Sequence, residues 1–276
     1  MPISCLILTR NEEINIGACL RLLSWSDDIV VLDSQSTDGT VEIARSLGAR
    51  VVQRAFDGYA SQRNYGLKNI RYQHDWLLLV DADERIPEDL RDEMLQGITE
   101  TDDSVTVFCV RGKNFLFGRW IAASSGYPTW FARLVRPERV WFERDINEEL
   151  HTDGEWRPLR AQFLHYPFNK GFSAWIAKHN LYSTMEAELL VRERAAPLLL
   201  KDIVDRDPRV RRRAVKSLLY RLPGRPLIVF MSLYFFRGGF LEGRAGLTYV
   251  CLRVMYEFMI DCKCVELRRR GRGLPT

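Results

Sequence analysis

Continuous apolar runs alternate with helical apolar spacing in the amino-terminal part of the chain. The runs predict four strands, at Ile3–Leu8, Ile29–Leu32, Arg50–Arg54 and Trp76–Asp81. Between the first two strands, apolar residues from Ile16 to Leu23 recur at helical spacing, and the later connections also read as helices. Strands that alternate with helices predict an α/β fold, in which a Rossmann-like, mostly parallel sheet is flanked by helices.

Carboxylates follow two of these predicted strands. Asp33 closes the second strand, and Asp81 and Asp83 end the fourth. Because open α/β sheets bind ligands at the carboxyl ends of neighbouring strands, we expect these three side chains in one crevice. Hard oxygen ligands there could hold Mg²⁺ or Mn²⁺ against a phosphate, although an acidic loop after a core strand would have the same spacing. No G-x-G-x-x-G follows the first strand, so no dinucleotide cofactor is expected.

Two later segments have a structural and a functional interpretation. Asn114–Arg136 is rich in aromatic residues and glycine, which is typical either of a packed, irregular sheet edge or of a loop that stacks on a sugar. Glu143–His151 carries a dense set of carboxylates, which would form a solvated turn or supply a general base.

The carboxyl-terminal part has a helical pattern from about Lys170. A helix start is predicted at Asp207-Pro208, and Leu247, Val250, Val254, Phe258 and Val265 form an apolar stripe on a long final helix. The apolar run Pro226–Phe236 is shorter than the ~18 residues of a membrane span, so it is either a core helix or an interfacial segment.

The distribution of charge indicates what kind of partner the protein binds, and the cysteines indicate its cellular compartment. Residues 206–225 contain eight Lys or Arg against one Asp, which favours contact with an anionic membrane surface. No nucleic-acid motif accompanies the charge, so a nucleic-acid partner is not expected. The six cysteines form no C-x-x-C pair and no signal peptide is recognised, which favours a reducing, cytoplasmic setting. The 276 residues allow one large domain, or one domain with an appendage.

Three segments together, Leu8–Glu13, Val31–Thr40 and Leu79–Glu84, resemble family 2 glycosyltransferases of the GT-A fold. Further segments resemble the lipopolysaccharide-core β-glucosyltransferase-like branch of that family: Gly118–Trp120, Tyr127-Pro128, Arg133-Leu134, Leu164–Tyr166 and Gly239–Leu247. The chain departs from that branch at Thr129, Asn147 and Glu242, where an acid, a histidine and an aspartate are usual.

The resemblance implies a domain organisation and a donor site. Residues 1–169 would form the GT-A nucleotide-sugar domain, and residues 170–276 a helical, membrane-associating region. The residues implied around the base and ribose of the nucleotide are Thr9, Asn11, Glu12 and Asp33. Arg63 would approach the base or the diphosphate. Asp83 would bind the divalent cation directly, with Asp81 in the ribose and metal shell.

The resemblance also implies the reaction and its setting. Glu148 is the candidate general base, with Glu149 and Asp145 as neighbours able to take that role. His165 is either a packed residue or a further metal ligand. The implied enzyme is an inverting, metal-dependent hexosyltransferase in lipopolysaccharide biosynthesis. It would move a sugar, with glucose favoured, from a UDP-sugar to a lipid-linked saccharide, as a peripheral protein on the inner face of the cytoplasmic membrane.

Two other classes stay open at this point. A sugar-phosphate nucleotidyltransferase would also be α/β with acidic metal ligands, but it would need a glycine-rich loop where Thr9–Glu13 stands. A non-catalytic relative that binds a nucleotide or a membrane is the other alternative.

Overall fold

The computed structural model describes residues 2–143, 148–193 and 224–276, together with residues 203, 204, 211, 214, 218 and 220. This part of the chain divides into two compact units. The first unit comprises Met1–Ala122 and Gly126–Phe172, and the second comprises Ala123–Ser125 and Ser173–Thr276. The helix start predicted at Asp207-Pro208 and most of the basic stretch 206–225 lie outside the described residues.

The first unit is built on a mixed sheet. Its strands are β1 (Ile3–Thr9), β2 (Ile29–Asp33), β3 (Arg50–Gln53), β4 (Trp76–Asp81), β5 (Glu84–Arg85), β6 (Val105–Leu116), β7 (Arg119–Trp120), β8 (Trp130–Val135), β9 (Val140–Glu143), β10 (Glu149–Thr152) and β11 (Glu155–His165). The main sheet runs in the order β3-β2-β1-β4-β8-β6-β11-β5, with β7 paired to β6, while β9 and β10 form a separate pair. The predicted α/β architecture is confirmed.

Strands β1 to β4 form the parallel half of the sheet, as the apolar runs predict. Their buried side chains leave almost no exposed surface between Ile3 and Ile7 or between Trp76 and Val80. The register pairs Thr9 with Asp33 and Leu8 with Asp81. The carboxyl ends of β1, β2 and β4 therefore share one edge, where the sequence predicted a ligand crevice.

Helices cover both faces of this sheet. They are α1 (Glu13–Leu23), α2 (Thr40–Ser46), α3 (Tyr59–Asn69) and α4 (Glu88–Thr99). One core contains side chains of α1, α2 and α4, such as Ile16, Ala44 and Met94. The opposite core contains Ala60 and Leu67 of α3. Each of these helices therefore buries one side against a face of the sheet.

The second unit is helical. It contains most of α5 (Gly171–Glu193), followed by α6 (Arg225–Met231), a π-helical turn (Ser232–Phe236), a 3-10 turn (Gly239–Glu242) and the long α7 (Gly243–Gly271). Helices α5 and α7 share a small apolar core of Ala187, Leu190, Tyr256, Ile260 and Cys264. None of the helices in the described ranges is both long and apolar enough to cross a membrane.

The apolar stripe predicted on the final helix is not the face that α7 buries. Val250 is buried, but Phe258 and Val265 are 59% and 53% exposed. The buried face carries Ile260 and Cys264, together with Glu257, which pairs with Arg225. An ion pair thus occupies a position that apolar spacing alone would assign to a hydrophobic residue.

A three-residue segment of the loop between β7 and β8 belongs to the second unit. The carboxylate of Glu242 accepts hydrogen bonds from the backbone N–H groups of Ala123 and Ser124, at 2.7 and 3.0 Å. The hydroxyl of Ser124 donates to the same carboxylate. Glu242 is only 8% exposed, so these donors satisfy a buried charge.

Candidate active site

The carboxylate of Asp81 lies between two arginines at the end of β4. Its Oδ1 is 3.2 Å from Nη2 of Arg63, which projects from α3, and its Oδ2 is 3.3 Å from Nη2 of Arg133 on β8. Each oxygen therefore faces one guanidinium group. This pairing orients Asp81 firmly and makes it a less available direct metal ligand than Asp83.

Arg63 connects Asp81 with Glu148. Its Nε lies 3.4 Å from Oε1 of Glu148, which is separated from it by 85 positions in the chain. Its guanidinium also lies over the ring of Phe142, at 5.5 Å from the centroid. Burial opposes the charge of Arg63, but Asp81 and Glu148 outweigh this effect and raise its pKa, so the guanidinium stays charged.

Glu84 is a buried carboxylate beneath this network. It is 1% exposed, lies 2.5 Å from Nη2 of Arg133, and accepts a hydrogen bond from the backbone N–H of Asp81 at 3.1 Å. Burial raises the pKa of Glu84 to about 6, although Arg133 favours its ionised form. Glu84 and Arg133 thus form a buried ion pair that contacts Asp81 and fixes its position.

Asp83 contacts a histidine from the far edge of the sheet. Nε2 of His165 lies 3.3 Å from Oδ2 of Asp83, and Nδ1 of His165 lies 2.7 Å from Oδ1 of Asn114. Because the amide oxygen of Asn114 and the ionised carboxylate of Asp83 both only accept, Nδ1–H donates to Asn114 and, in the protonated ring, Nε2–H donates to Asp83. Loss of the Nε2 proton would leave that nitrogen free to bind a cation. Burial lowers the pKa of His165, but attraction to Asp83 outweighs it and raises the pKa.

The donor set around Asp83 fits a divalent cation shared with a substrate. No complete cage of three or more His, Cys, Asp or Glu side chains exists among the described residues. Mg²⁺ does not require one, because it commonly takes one or two carboxylates and completes its shell with phosphate and water. Asp81, Glu84 and Glu148 share two guanidinium groups, and Asp83 faces His165, so the carboxylates outnumber the positive groups and leave negative charge for a cation to neutralise.

Thr9 and Asp33 meet at the ends of β1 and β2. The hydroxyl of Thr9 donates to Oδ1 of Asp33 at 3.0 Å, and the backbone N–H of Ser36 donates to Oδ2 at 2.9 Å. The amide of Gln53 reaches Oδ2 at 3.3 Å. Asp33 is fully buried and holds the loop after β2 in place.

Asn11 and Glu12 order the loop after β1. Asn11 has a positive φ of 54°, and its side-chain oxygen accepts the backbone N–H of Thr37 at 2.8 Å. Glu12 accepts from Asn15 at 2.9 Å and pairs with Lys170 at 2.8 Å. The two loops at the carboxyl ends of β1 and β2 are therefore tied to each other.

The aromatic segment after Asn114 is partly strand and partly surface. Strand β6 continues to Leu116, and a tight turn at Phe117 and Gly118, with φ values of 53° and 71°, leads into β7. A cavity of about 260 Å³ opens beside this turn. Its aromatic lining consists of Phe115, Phe117, Tyr166, Phe168 and Phe172. Trp120 and Trp130 lie outside the cavity and are 37% and 46% exposed.

The structure thus brings together most of the residues that the sequence singled out. Asp81, Arg63 and Glu148 form one connected group, Thr9 and Asp33 form another, and Asp83 meets His165. Asp145, which was considered as an alternative base, and Asn147 lie outside the described residues. Glu149 begins β10 and is exposed.

Sequence reasoning assigned no role to Glu84, Arg133 or Asn114. Glu84 belongs to the acidic motif itself, and Arg133 to a segment that resembles the lipopolysaccharide-core branch. Their partners come from strands distant in the chain, since Arg133 is 49 positions from Glu84 and Asn114 is 51 from His165. The only signal in the sequence for these contacts was a charged residue, Arg133, within an otherwise apolar strand.

The family described as "Glycosyl transferase family 2" matches residues 4–173, which include every residue of this site. The chain belongs to glycosyltransferase family 2. The predicted GT-A assignment is therefore confirmed. The chain is a glycosyltransferase, so the two alternative hypotheses, a sugar-phosphate nucleotidyltransferase and a non-catalytic relative, are set aside.

Relatives extend the similarity over the whole chain. An uncharacterised glycosyltransferase of Rickettsia typhi is 38% identical over 99% of this chain and 89% of its own length. The lipopolysaccharide core biosynthesis glycosyltransferase LpsC of Rhizobium meliloti is 26% identical over 96% of this chain and 93% of its own length.

Among solved structures, glucosyl-3-phosphoglycerate synthase of Mycobacterium tuberculosis overlaps part of the chain. It is 22% identical with a TM-score of 0.37, and the overlap covers 49% of this chain and 57% of that protein. That structure contains Mn²⁺, uridine diphosphate and glucosyl-3-phosphoglycerate.

Proposed function

We propose that this glycosyltransferase transfers a hexose, with glucose as the favoured sugar, from a UDP-sugar to a saccharide acceptor with inversion at the anomeric carbon. The observation that carries the proposal is the connected group Asp81–Arg63–Glu148 beside the Asp83–His165 pair. It supports the proposal because the carboxylate of Glu148, our candidate base, lies 3.4 Å from a guanidinium group of the kind that pairs with a diphosphate.

The donor would lie along the carboxyl ends of β1, β2 and β4. Thr9, Asn11, Glu12 and Asp33 shape the two loops there, and we assign the base and ribose to them. Arg63 would contact the diphosphate, because a guanidinium group pairs well with phosphate oxygens.

Asp83 and His165 would hold Mg²⁺ or Mn²⁺, with Asp81 orienting the site through its arginines. The cation, when bound, supplies Lewis-acid stabilisation of the charge that develops on the leaving diphosphate. The side-chain oxygen of Asn114 accepts a hydrogen bond from Nδ1–H of His165 at 2.7 Å, so Nε2 is the ring nitrogen that would bind the cation.

Glu148 would act as the general base. Its carboxylate removes the proton of the acceptor hydroxyl as that oxygen attacks the anomeric carbon, and the bond from that carbon to the diphosphate breaks. A single displacement of this kind inverts the configuration. Arg63, at 3.4 Å, positions the carboxylate for this step.

For the acceptor we propose a lipid-linked or lipopolysaccharide-core saccharide. The support is full-length similarity to a relative named as a lipopolysaccharide core biosynthesis glycosyltransferase. A lipid-linked acceptor requires the enzyme to work at a membrane surface, and we propose the inner face of the cytoplasmic membrane.

The second unit offers a surface suited to that position. Several side chains between α6 and the 3-10 turn are largely exposed: Leu227 at 66%, Phe235 at 50%, Phe236 at 85%, Phe240 at 48% and Leu241 at 70%. We call these five side chains the apolar patch. Basic residues Arg237 and Arg244 lie close to it in the chain, as in interfacial segments that contact anionic lipid.

Calorimetry of UDP binding with and without Mn²⁺ tests the donor assignment. We expect the parent chain to bind UDP with Mn²⁺ and to lose at least about tenfold in affinity without it. Asp83→Ala and His165→Ala should show the weak affinity under both conditions. Asp92→Ala, which removes an exposed carboxylate of α4, is the matched control and should bind like the parent. Mn²⁺-dependent binding by Asp83→Ala would refute the metal assignment.

A further inference from the structure

Five side chains of the first unit form a mixed aromatic and basic surface on β6 and its neighbours. Arg111 and Lys113 are two positions apart on β6 and therefore point to the same side of the sheet. Trp130 of β8 pairs with Arg111 in the register, and Tyr127 precedes β8. Trp120 of β7 completes the group. We call these residues the aromatic-basic face.

The members of the aromatic-basic face contact one another in a chain across the surface. The guanidinium of Arg111 lies 5.0 Å from the ring centroid of Trp130 and 5.9 Å from that of Tyr127. The ring of Tyr127 packs edge-on against Trp120 at 5.2 Å, and Nζ of Lys113 lies 5.0 Å from the Trp120 ring. The result is a continuous belt in which Arg111 lies between Trp130 and Tyr127, and Tyr127 packs on Trp120, which Lys113 contacts at the other end.

The belt is held in place from below but is open to solvent. Nη2 of Arg111 donates to the carbonyl of Arg160 at 2.5 Å, which fixes the guanidinium over Trp130. Trp120 and Trp130 nevertheless remain 37% and 46% exposed. Two large indole rings kept at the surface with ordered cations indicate a binding surface, because burying them in the core would be more favourable for folding alone.

The chemistry of the belt specifies its ligand. Aromatic rings pack against the C–H face of a pyranose, and an ammonium or guanidinium group pairs with a carboxylate or phosphate. Strand β6 also links the belt to the candidate active site. On the side of the belt, Cys109 of β6 packs in the same core as α3, the helix that carries Arg63, and on the opposite side Asn114 contacts His165. A saccharide bound on the belt would therefore lie along the strand that supports the site.

We propose that the aromatic-basic face binds the acceptor as an anionic saccharide, one that carries a carboxylate or phosphate next to the sugar ring that stacks on Trp120 or Trp130. This inference rests on the proposed function, and it assigns the chemical class of the acceptor and two selectivity residues, Lys113 and Arg111.

Titration of tryptophan fluorescence with defined sugars tests the proposal. The probes are methyl β-glucoside, methyl β-glucuronide, glucose 6-phosphate, inorganic phosphate and a short oligothymidylate. We expect at least one anionic sugar to bind about tenfold more tightly than methyl β-glucoside, since a charge-assisted hydrogen bond is added. The carboxylate and phosphate arms identify which anion the face prefers.

Variants assign the effect to the belt. Lys113→Met keeps the apolar stem but removes the charge, so the tenfold difference in affinity between anionic and neutral sugars should largely disappear. Lys113→Arg should retain that difference. Trp130→Ala should weaken the neutral and the anionic sugars alike. Lys68→Ala removes an exposed lysine from the last turn of α3 and serves as the control with the same loss of charge.

Several results would overturn the proposal. One is equal affinity for neutral and anionic sugars, and another is an unchanged preference in Lys113→Met. Inorganic phosphate that binds as tightly as glucose 6-phosphate would show an anion site without sugar contact, and tighter binding of oligothymidylate would assign the face to nucleic acid. UDP binding of the parent is measured separately, so that failure of the donor assignment and failure of this inference are distinguishable.

Discussion

The carboxylate of Asp81 is oriented by two arginines at the end of β4. Its two oxygens face Arg63 and Arg133, and each arginine carries the network to a second carboxylate, Glu148 or Glu84. The attacking side and the leaving side of the proposed reaction are therefore coupled through one aspartate. Asp83, two residues later, is left to meet His165.

The Arg133–Glu84 pair should be important for stability. Both side chains are less than 10% exposed, so Arg133→Ala would leave Glu84 as a buried charge without its closest partner. We expect a loss of about 3 kcal/mol in the free energy of unfolding, measured by urea denaturation. Arg91→Ala, which removes a surface pair with Asp92, should lower the free energy of unfolding far less, because solvent screens an exposed pair. Equal costs for the two variants would contradict the assigned role.

Glu148→Gln should separate chemistry from donor binding. The amide keeps the shape of the side chain but removes the base, so we expect transfer to fall by about 10²- to 10⁴-fold while UDP affinity stays within a few fold. Steady-state kinetics with a saccharide acceptor, together with UDP calorimetry, measure the two quantities. Glu149→Gln is the neighbouring control and should retain transfer. Loss of transfer in Glu149→Gln alone would move the base to that residue.

Local pattern was sufficient to predict the carboxylates but not their partners. Apolar runs that end in Asp33 and Asp81 determine where the parallel strands end, and topology then places both residues at one edge. Arg133 and Asn114 lie on β8 and β6, whose antiparallel and long-range pairings no local pattern encodes. The contact of His165 with Asp83 likewise depends on β11 pairing with β5.

At the scale of elements, the helices of the second unit show where apolar spacing is a poor guide. The buried face of α7 includes Tyr256 and Glu257, and Glu257 pairs there with Arg225 of α6. On α5, the ring of His179 stacks on Trp175 at 3.5 Å and meets Tyr256 edge-on at 5.3 Å. Aromatic and ionic contacts, rather than aliphatic stripes alone, therefore join these helices.

His179 should make the stability of the helical unit dependent on pH. Burial lowers the pKa of His179 to about 4, below its ordinary value of 6.5. Between these values the unfolded chain binds a proton that the folded chain excludes, so the free energy of unfolding falls as pH decreases from 6.5 to about 4. Above pH 6.5 the contribution is constant.

The measurement is the difference in unfolding free energy between the parent and His179→Gln as a function of pH. We expect the parent to lose about 1–3 kcal/mol more than the variant on acidification, because a pKa shift of one unit corresponds to about 1.4 kcal/mol. Parallel curves for the two proteins would show that His179 is not protected from protonation.

At the scale of the whole molecule, each unit has a surface of the kind that the proposed function requires. The first unit presents charged crevice residues and the aromatic-basic face, and the second presents the apolar patch. The sequence predicted a helical appendage and an interfacial segment, and Phe236 and Leu241 of that region are 85% and 70% exposed.

Co-sedimentation with vesicles tests the apolar patch. Because inserting a Phe or Leu side chain contributes roughly 1.5–3 kcal/mol, Phe236→Ser combined with Leu241→Ser should weaken binding to vesicles of mixed phosphatidylglycerol and phosphatidylcholine by at least about tenfold. Phe258→Ser removes a similarly exposed side chain of α7 and should have little effect. Unchanged binding by the double variant would exclude the patch as the membrane contact.

The most direct test of the central claim is turnover of nucleotide sugars by the parent chain and by Asp83→Ala. A panel of UDP-, GDP- and dTDP-sugars is incubated with Mn²⁺, and release of the nucleoside diphosphate is followed without acceptor, as slow hydrolysis. We expect release from a UDP-hexose, with UDP-glucose favoured, and its loss in Asp83→Ala or when Mn²⁺ is chelated. Release of UDP by Asp83→Ala at the rate of the parent, or a preference for a nucleotide other than UDP, would contradict the proposed donor site.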